Sequence, residues 1–329
     1  MKKWTLLVLA AVMVLTLAAC GGSKNSGYSI AISQILEHPS LDATRQGFLD
    51  ALKDAGIVEG ENLTVDVNIA QNDQTNNLSI AQKIAGNKHD LAVAIATPSA
   101  VAVAQYVKDT PVLFAAVTDP LQDKLVESLE SPGGNVTGAA DTNPVAVQDL
   151  MAFIGEHFPD VKTVGAVINR GETNAVIMVD NAKSKLAEYG IDVIEAAVTN
   201  TSEVKQAAES LVGRADAIFI ALDNTVVSGV ASIIQVANEN DIPFFSSDRD
   251  SVEAGAFATV GFKYYDHGYQ AGQMAVEILK NGKKPSELPV SFPDKLDLIL
   301  NLNAAAEQGI TVTDSMKAAV KDPATNIIE

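Results

Sequence analysis

Apolar residues fall in short unbroken runs along the chain: Ser29–Ile32, Leu91–Ala96, Val112–Val117, Val164–Ile168, Ala217–Ala221 and Ala256–Val260. Runs of this length that do not alternate with polar residues predict parallel strands covered on both faces. Helical spacing lies between them. Leu41, Phe48, Leu49 and Leu52 share one face of a predicted helix that Gly56 ends. The repeated β-then-α order predicts a doubly wound α/β architecture.

The pattern also echoes itself. Leu63–Ile69 reads as a strand and Asn76–Ala85 as a helix, after which Asp90 leads into Leu91–Ala96 and Thr97. Later, Ile191–Val198 reads as a strand and Ser202–Leu211 as a helix, and Asp216 leads into Ala217–Leu222 and Asp223. Asp90 to Thr97 and Asp216 to Asp223 are both seven residues apart. Each unit runs on to a proline-led strand, Pro111–Phe114 or Pro243–Phe245. Any two α/β segments share some of this likeness. A chain of 329 residues is long enough for the other explanation, two similar lobes.

Two open sheets of this kind bring the carboxyl ends of their strands to a shared crevice, where ligands bind. That rule nominates Thr97, Ser99, Thr118, Asp119, Asn169, Glu172, Asn174, Asp223, Asn224, Ser247 and Asp248. Thr97 is expected to cap a helix with Pro98 in its first position, which leaves the amides of Ser99 and Ala100 and the Ser99 hydroxyl for a ligand carboxylate. Thr118-Asp119-Pro120 repeats the cap-plus-proline pattern. Both motifs serve equally well simply to start helices. Asp223 stands where the second unit mirrors Thr97, so it would neutralise a ligand ammonium. Asp248 is the alternative, and a plain helix cap is the simpler role for either.

The first residues carry a different signal. Met1-Lys2-Lys3 is a short basic head, Thr5–Ala19 is apolar, and Leu17-Ala18-Ala19-Cys20 is followed by Gly21-Gly22-Ser23. The apolar run is shorter than the roughly 20 residues of a spanning helix. Basic head, apolar stretch and small residues before a cut form a secretory signal. The sole cysteine in the first position after that cut makes the segment similar to bacterial lipoprotein signals. Residues 1–19 are therefore read as signal peptide, and residues 20–27 as a tether lipidated at Cys20. Each buried lipid CH₂ contributes about 0.8 kcal/mol, so several acyl chains give a stable membrane anchor.

Composition narrows the function classes. Formal net charge is −18, from 41 acidic and 23 basic residues, and such a surface repels nucleic acid and anionic membranes. One cysteine excludes a disulfide framework and a cysteine-based zinc site. His38, His89, His157 and His267 have no metal-ligand spacing, so neither a metal nor a cofactor is expected. No GxSxG or phosphate-loop motif occurs. Ser131-Pro132-Gly133-Gly134 lacks the phosphate-loop lysine. Glu37-His38 reads as an acid/base pair, a ligand-contacting loop or a solvated turn. An α/β hydrolase stays open as a rival on these residues alone, as does a sensor or adhesion lipoprotein.

The segments Glu37–Asp42, Ala96–Ala100, Val117–Pro120, Ser131–Gly138, Asn169–Asn174 and Asp223-Asn224, in this order and spacing, resemble the bacterial ABC-transporter substrate-binding lipoproteins of the tryptophan/tyrosine type. The resemblance implies a type I periplasmic-binding-protein fold: two Rossmann-like lobes joined by three crossovers, near Ala139–Asn143, Gly261–Tyr264 and Pro289–Pro293. Residues 28–139 plus 264–290 would form one lobe and 140–263 plus 291–329 the other, with the helix Tyr265–Leu279 returning to the first. It implies a monomer that takes an amino acid, aromatic in family members with assigned ligands, and passes it to membrane permease subunits. Another solute on the same fold is the alternative. An aromatic ligand needs apolar or aromatic walls, and Ile35, His38, Phe114, Phe245 and Tyr265 are the residues nominated for them.

Overall fold

The computed structural model describes residues 27–141, 144–293 and 295–329. Signal segment 1–19, Cys20 and nearly all of the tether lie outside the described residues, as do Thr142 and Asn143 of the first expected crossover.

The first lobe is built from β1 (Tyr28–Gln34), α1 (Pro39–Asp54), β2 (Leu63–Ile69), α2 (Gln74–Gly86), β3 (Leu91–Ile95), α3 (Thr97–Tyr106), β4 (Val112–Val117) and β5 (Val136–Ala140). Its sheet is parallel throughout, in the order β2-β1-β3-β4-β5. The chain then crosses into the second lobe. There follow α4 (Pro144–His157), β6 (Thr163–Ile168), α5 (Thr173–Ala187), β7 (Asp192–Ala197), α6 (Val204–Glu209), β8 (Ala217–Ile220), α7 (Asn224–Val227), α8 (Val230–Glu239), β9 (Phe244–Ser246), α9 (Arg249–Ala254) and β10 (Ala258–Gly261). It returns to the first lobe as α10 (Tyr264–Leu279). A third crossing leads to β11 (Asp297–Asn301), α11 (Leu302–Glu307), α12 (Asp314–Ala318), α13 (Pro323–Asn326) and β12 (Ile327–Ile328).

The second sheet runs β12-β11-β10-β9-β8-β6-β7. Its β7-β6-β8-β9-β10 portion repeats the order of the first sheet, so the echo in the sequence is an echo in the fold. Asp90 Oδ2 accepts the Ser29 amide at 2.8 Å, and Asp216 Oδ2 accepts the Lys162 and Thr163 amides at 2.8 Å. Each aspartate thus pins the start of its lobe's first strand. The antiparallel strand β11 departs from the expected pattern.

Both sheets are covered on both faces, which is why their strands read as unbroken apolar runs. Along β1 and β3, Ile30, Ile32, Val93 and Ile95 pack on one side, and Ala31, Ala92 and Ala94 on the other. In the second lobe, Ala217 and Phe219 face one layer and Ile218 and Ile220 the opposite one. Each such large side chain, fully buried, contributes about 1.5–3 kcal/mol.

Helix α10 lies on α1 at unusually short range. A Cβ at Gly47 would sit 2.0 Å from the Tyr265 carbonyl oxygen, and one at Gly268 would sit 2.0 Å from that of Thr44. Only glycine permits this approach. On the solvent side of the same contact, the Tyr265 and Tyr269 hydroxyls donate to Asp50 and Asp54. Among the described residues, no helix is long and apolar enough to cross a membrane.

Candidate ligand cleft

Strand ends of the two lobes line a cavity between them. The first lobe and the crossovers contribute His38, Ser40, Leu41, Thr97, Ala116, Thr118, Asp141 and Tyr264. The second contributes Asn174, Leu222, Asn224, Val227 and Asp248. Hydrogen bonds already span the gap. The Ser40 hydroxyl donates to Asp248 Oδ1 at 3.3 Å, His38 Nε2 meets Asn224 Oδ1 at 3.4 Å, and Asn72 Nδ2 donates to Thr225 Oγ1 at 2.9 Å. Farther out, the Thr173 hydroxyl donates to Asp123 at 2.9 Å.

The first-lobe wall is strained backbone. Ala96 has φ 77° and Ala116 has φ 55°, each costing on the order of 1–3 kcal/mol and each at the carboxyl end of a strand that feeds the cleft. The Ala116 turn breaks the β4–β5 register, and His267 Nε2 accepts its amide at 3.1 Å. Nε2 must therefore carry the lone pair. Burial pushes the His267 pKa down to about 4, which keeps the ring neutral.

Several expectations about this wall are corrected. Thr97 does not cap α3: Ala96 holds the cap position, no side chain caps the helix, and Thr97 and Pro98 are its first residues. Instead Thr97 Oγ1 accepts the Thr118 amide at 3.2 Å, which leaves its own proton to donate into the cleft. The Ala100 amide is not free, since it donates to the Ala96 carbonyl at 3.0 Å. Ser99 is buried, with its hydroxyl towards Asn77 at 3.5 Å, and does not line the cavity. Thr118-Asp119-Pro120 starts no helix. Asp119 closes a turn by accepting the Leu121 and Gln122 amides, and only Thr118 reaches the cleft.

The acidic wall is also redistributed. Asp223 is fully buried and caps α7: one oxygen accepts the Val226 amide at 3.1 Å, the other the Asn169 amide at 2.5 Å. Burial, then the nearby Glu172 carboxylate, raise its pKa well above the usual range. It is a cap and not a cavity-lining charge. Asn169 likewise turns to Thr225 Oγ1, at 2.8 Å. Glu172 lies beneath the cleft, accepting both the amide and the side chain of Asn224 and of Thr225 at 2.5–3.0 Å. It holds Asn224 and Asn174 in place, since Asn174 Nδ2 also donates to it at 3.2 Å.

Asp248 does line the cavity. It caps α9, accepts from the Ser251 amide and hydroxyl, and is only 1 % exposed. Burial raises its pKa to about 6. Asn174 Oδ1 and His38 Nδ1 are buried there without a hydrogen-bond partner among the described residues. Desolvation lowers the His38 pKa. Because its Nε2 proton points to the Asn224 carbonyl oxygen, Nδ1 presents a lone pair. Asp248 and Asn174 of the second lobe and His38 of the first thus present acceptors to the cleft, while Thr97 and Thr118 of the first lobe offer hydroxyl protons.

Of the residues nominated for ring walls, His38 lines the cavity. Ile35 and Phe114 are core of the first lobe. Phe245 is packed edge-on against Phe158 and Phe257 in the core of the second. Tyr265 is 40 % exposed on the outer surface. Missed by sequence reasoning were Ser40, Asp141 and Tyr264, and the apolar Leu41, Ala116, Leu222 and Val227. Asp141 directly follows the fully buried strand β5, so the strand-end rule applied there would have found it. No cluster of three metal-ligating side chains occurs among the described residues.

This cleft between two lobes of parallel sheet is the architecture of a solute receptor, and the chain belongs to the ABC transporter substrate binding protein family, whose model matches residues 29–322. These are binding proteins, not enzymes. The chain is 38% identical over 314 residues to a tyrosine-binding protein of Clostridioides difficile, covering 91% of this chain and 90% of that one. It superposes on the structure of an ABC domain in complex with L-Trp from Streptococcus pneumoniae with a TM-score of 0.85 at 32% identity, covering 92% of this chain and 100% of that one. A ligand-free, open substrate-binding protein with adhesive properties from Clostridium difficile gives a TM-score of 0.66 at 38% identity, covering 92% and 98%.

Proposed function

We propose that this chain is the extracytoplasmic receptor of an ABC importer, anchored by lipid on Cys20, that captures an aromatic amino acid by hinge closure and delivers it to permease subunits. The observation that carries this reading is the chemical division of the cleft. Hydroxyl protons of Thr97 and Thr118 on one side suit a carboxylate. Asp248 and Asn174 Oδ1 on the opposite lobe suit an ammonium, with the first lobe's His38 Nδ1 as a further acceptor. A zwitterion bridging them ties the lobes, 28–139 plus 264–290 against 140–263 plus 291–329, into the closed form. The Ser40–Asp248 and His38–Asn224 bonds support closure as a state of this chain. So does the better superposition on the tryptophan complex than on the open relative. Tyrosine and tryptophan are the ligands to try first, since relatives are named for them.

Calorimetry with tyrosine, tryptophan, phenylalanine, leucine, a nucleoside and a hexose tests the reading. Tight one-to-one binding of an aromatic amino acid is expected; binding of the sugar or nucleoside alone would overturn it. Intact mass of protein from its native host, compared with Cys20→Ala, tests the anchor: the lipid-linked mass must vanish in the variant.

A further inference from the structure

A second, smaller space adjoins the cleft and shares Asp141 and Leu222 with it. It opens into the second lobe, with apolar walls from Val147, Leu150, Met178, Val260 and Phe262. At its lining stands one hydroxyl, that of Ser247. Ser247 Oγ is buried and has no hydrogen-bond partner among the described residues. Its neighbours Ser246 and Asp248 differ: their side-chain oxygens are engaged, Ser246 with the Asp248 carbonyl and Asp248 with Ser251 and Ser40.

An apolar chamber beside a zwitterion-binding cleft suits a ring. A buried hydroxyl left unpaired carries a desolvation penalty that a ligand without a polar tip does not relieve. We infer that this chamber receives the ligand's aromatic side chain and that Ser247 is its specificity residue, selecting a ring with a hydrogen-bonding tip over a bare one. This rests on the proposed amino-acid function and deepens it. The phenol of tyrosine both donates and accepts, so it pairs with Ser247 in either sense. Phenylalanine, of the same shape without the oxygen, leaves Oγ unpaired. Sites built to hydrogen-bond a substrate hydroxyl reject the analogue lacking it far better than apolar pockets separate molecules by size.

The test is the ratio of tyrosine to phenylalanine affinity, measured by calorimetry on the purified protein and on Ser247→Ala and Ser247→Thr. The wild type is expected to favour tyrosine by about tenfold or more. Ser247→Ala is expected to bring the ratio close to one, through weaker tyrosine and equal or tighter phenylalanine binding. Ser247→Thr, which keeps the hydroxyl, is expected to retain most of the preference. A ratio unchanged in Ser247→Ala, or a wild type that binds phenylalanine as tightly as tyrosine, overturns the assignment while leaving the amino-acid receptor intact. Wild-type protein that binds neither, but binds a sugar or nucleoside, overturns the parent reading and this one with it.

Discussion

Ser40 on α1 donates its hydroxyl proton to Asp248 on the opposite lobe, at 3.3 Å across the cleft. Asp248 is the lining carboxylate whose pKa burial lifts to about 6. An arriving ammonium would stabilise its ionised form, so ligand binding is expected to release a proton near that pH. Amino-acid affinity should be highest above about pH 7 and fall as the pH drops through 6. Titration calorimetry across that range, in buffers of different ionisation heat, reads both the affinity and the proton. Binding that is flat with pH would remove Asp248 from the ammonium site.

Two aspartates at equivalent strand ends should behave oppositely. Asp248→Asn keeps an oxygen to cap α9 but loses the charge, so the chain should melt near the wild type. It should bind roughly 30-fold or more weakly, since losing one member of a desolvated charge pair costs about 2–5 kcal/mol. Asp223→Ala removes the cap of α7 and the acceptor for Asn169. It should lower stability by about 0.5–2 kcal/mol, with a much smaller loss of affinity. Calorimetry and thermal melts on both variants decide between these assignments.

Glu172 tests whether a residue outside the cavity can govern it. Its carboxylate receives donors from Asn224, Thr225 and Asn174, two of which face the ligand space. Glu172→Ala strands those buried donors, each worth about 1–3 kcal/mol. A drop of several degrees in melting temperature is expected together with weakened binding. Glu172→Gln, which retains one acceptor oxygen, should recover part of both.

The strands and the twofold echo were legible because a strand buried on both faces must be apolar throughout, and a two-unit fold must repeat that pattern. The site was legible to the level of strand ends and no further. Thr97, Asp223 and Asp248 all stand where a strand gives way to a helix, and that context permits a cap, a buried strut or a ligand contact alike. Which one holds depends on neighbours far away in the chain, such as Asn169 for Asp223 and Ser40 for Asp248. Of the residues nominated for ring walls His38 reaches the cavity and the others do not, for a related reason. Large apolar side chains such as Phe114 and Phe245 are taken up by the cores, whereas the chamber beside Ser247 is walled by aliphatic residues of α4, α5 and β10 and by Phe262, just after β10. Helix α10 gives no hint in sequence that its glycines face α1, because a close helix contact is a property of two segments more than 200 residues apart.

That contact carries its own prediction. Gly268→Ala would place a methyl group 2.0 Å from the Thr44 carbonyl oxygen, and backbone on both sides leaves no flexible atom to give way. Overpacking of this kind costs about 1–3 kcal/mol or more. The first lobe should lose stability, as read by a denaturant melt, while Gly282→Ala, with open space around its Cβ but φ +67°, should cost only about 1 kcal/mol.

His267 joins helix α10 to the cleft wall, and its acid behaviour separates from that of Asp248. Its pKa in the fold is about 4, below the ordinary histidine value, because burial disfavours the imidazolium. A base depressed by folding contributes stability that is present above its unfolded pKa and is lost as the pH falls towards the folded one. Between pH 6.5 and 4, His267 therefore destabilises the chain on acidification. Asp248, whose pKa is raised by folding, has the reverse sign: its contribution is present at low pH and fades as the pH rises through about 6. In the wild type the two slopes oppose each other over that window. His267→Gln keeps an acceptor in reach of the Ala116 amide without titrating, so its denaturant stability should rise relative to the wild type as the pH is lowered from about 6.5 to 4.5. Asp248→Asn should show the opposite, a steeper acid loss than the wild type. Parallel pH–stability curves for all three proteins would show that folding shifts neither pKa, and the neutral, Nε2-accepting ring assigned to His267 below pH 6.5 would then have to be given up.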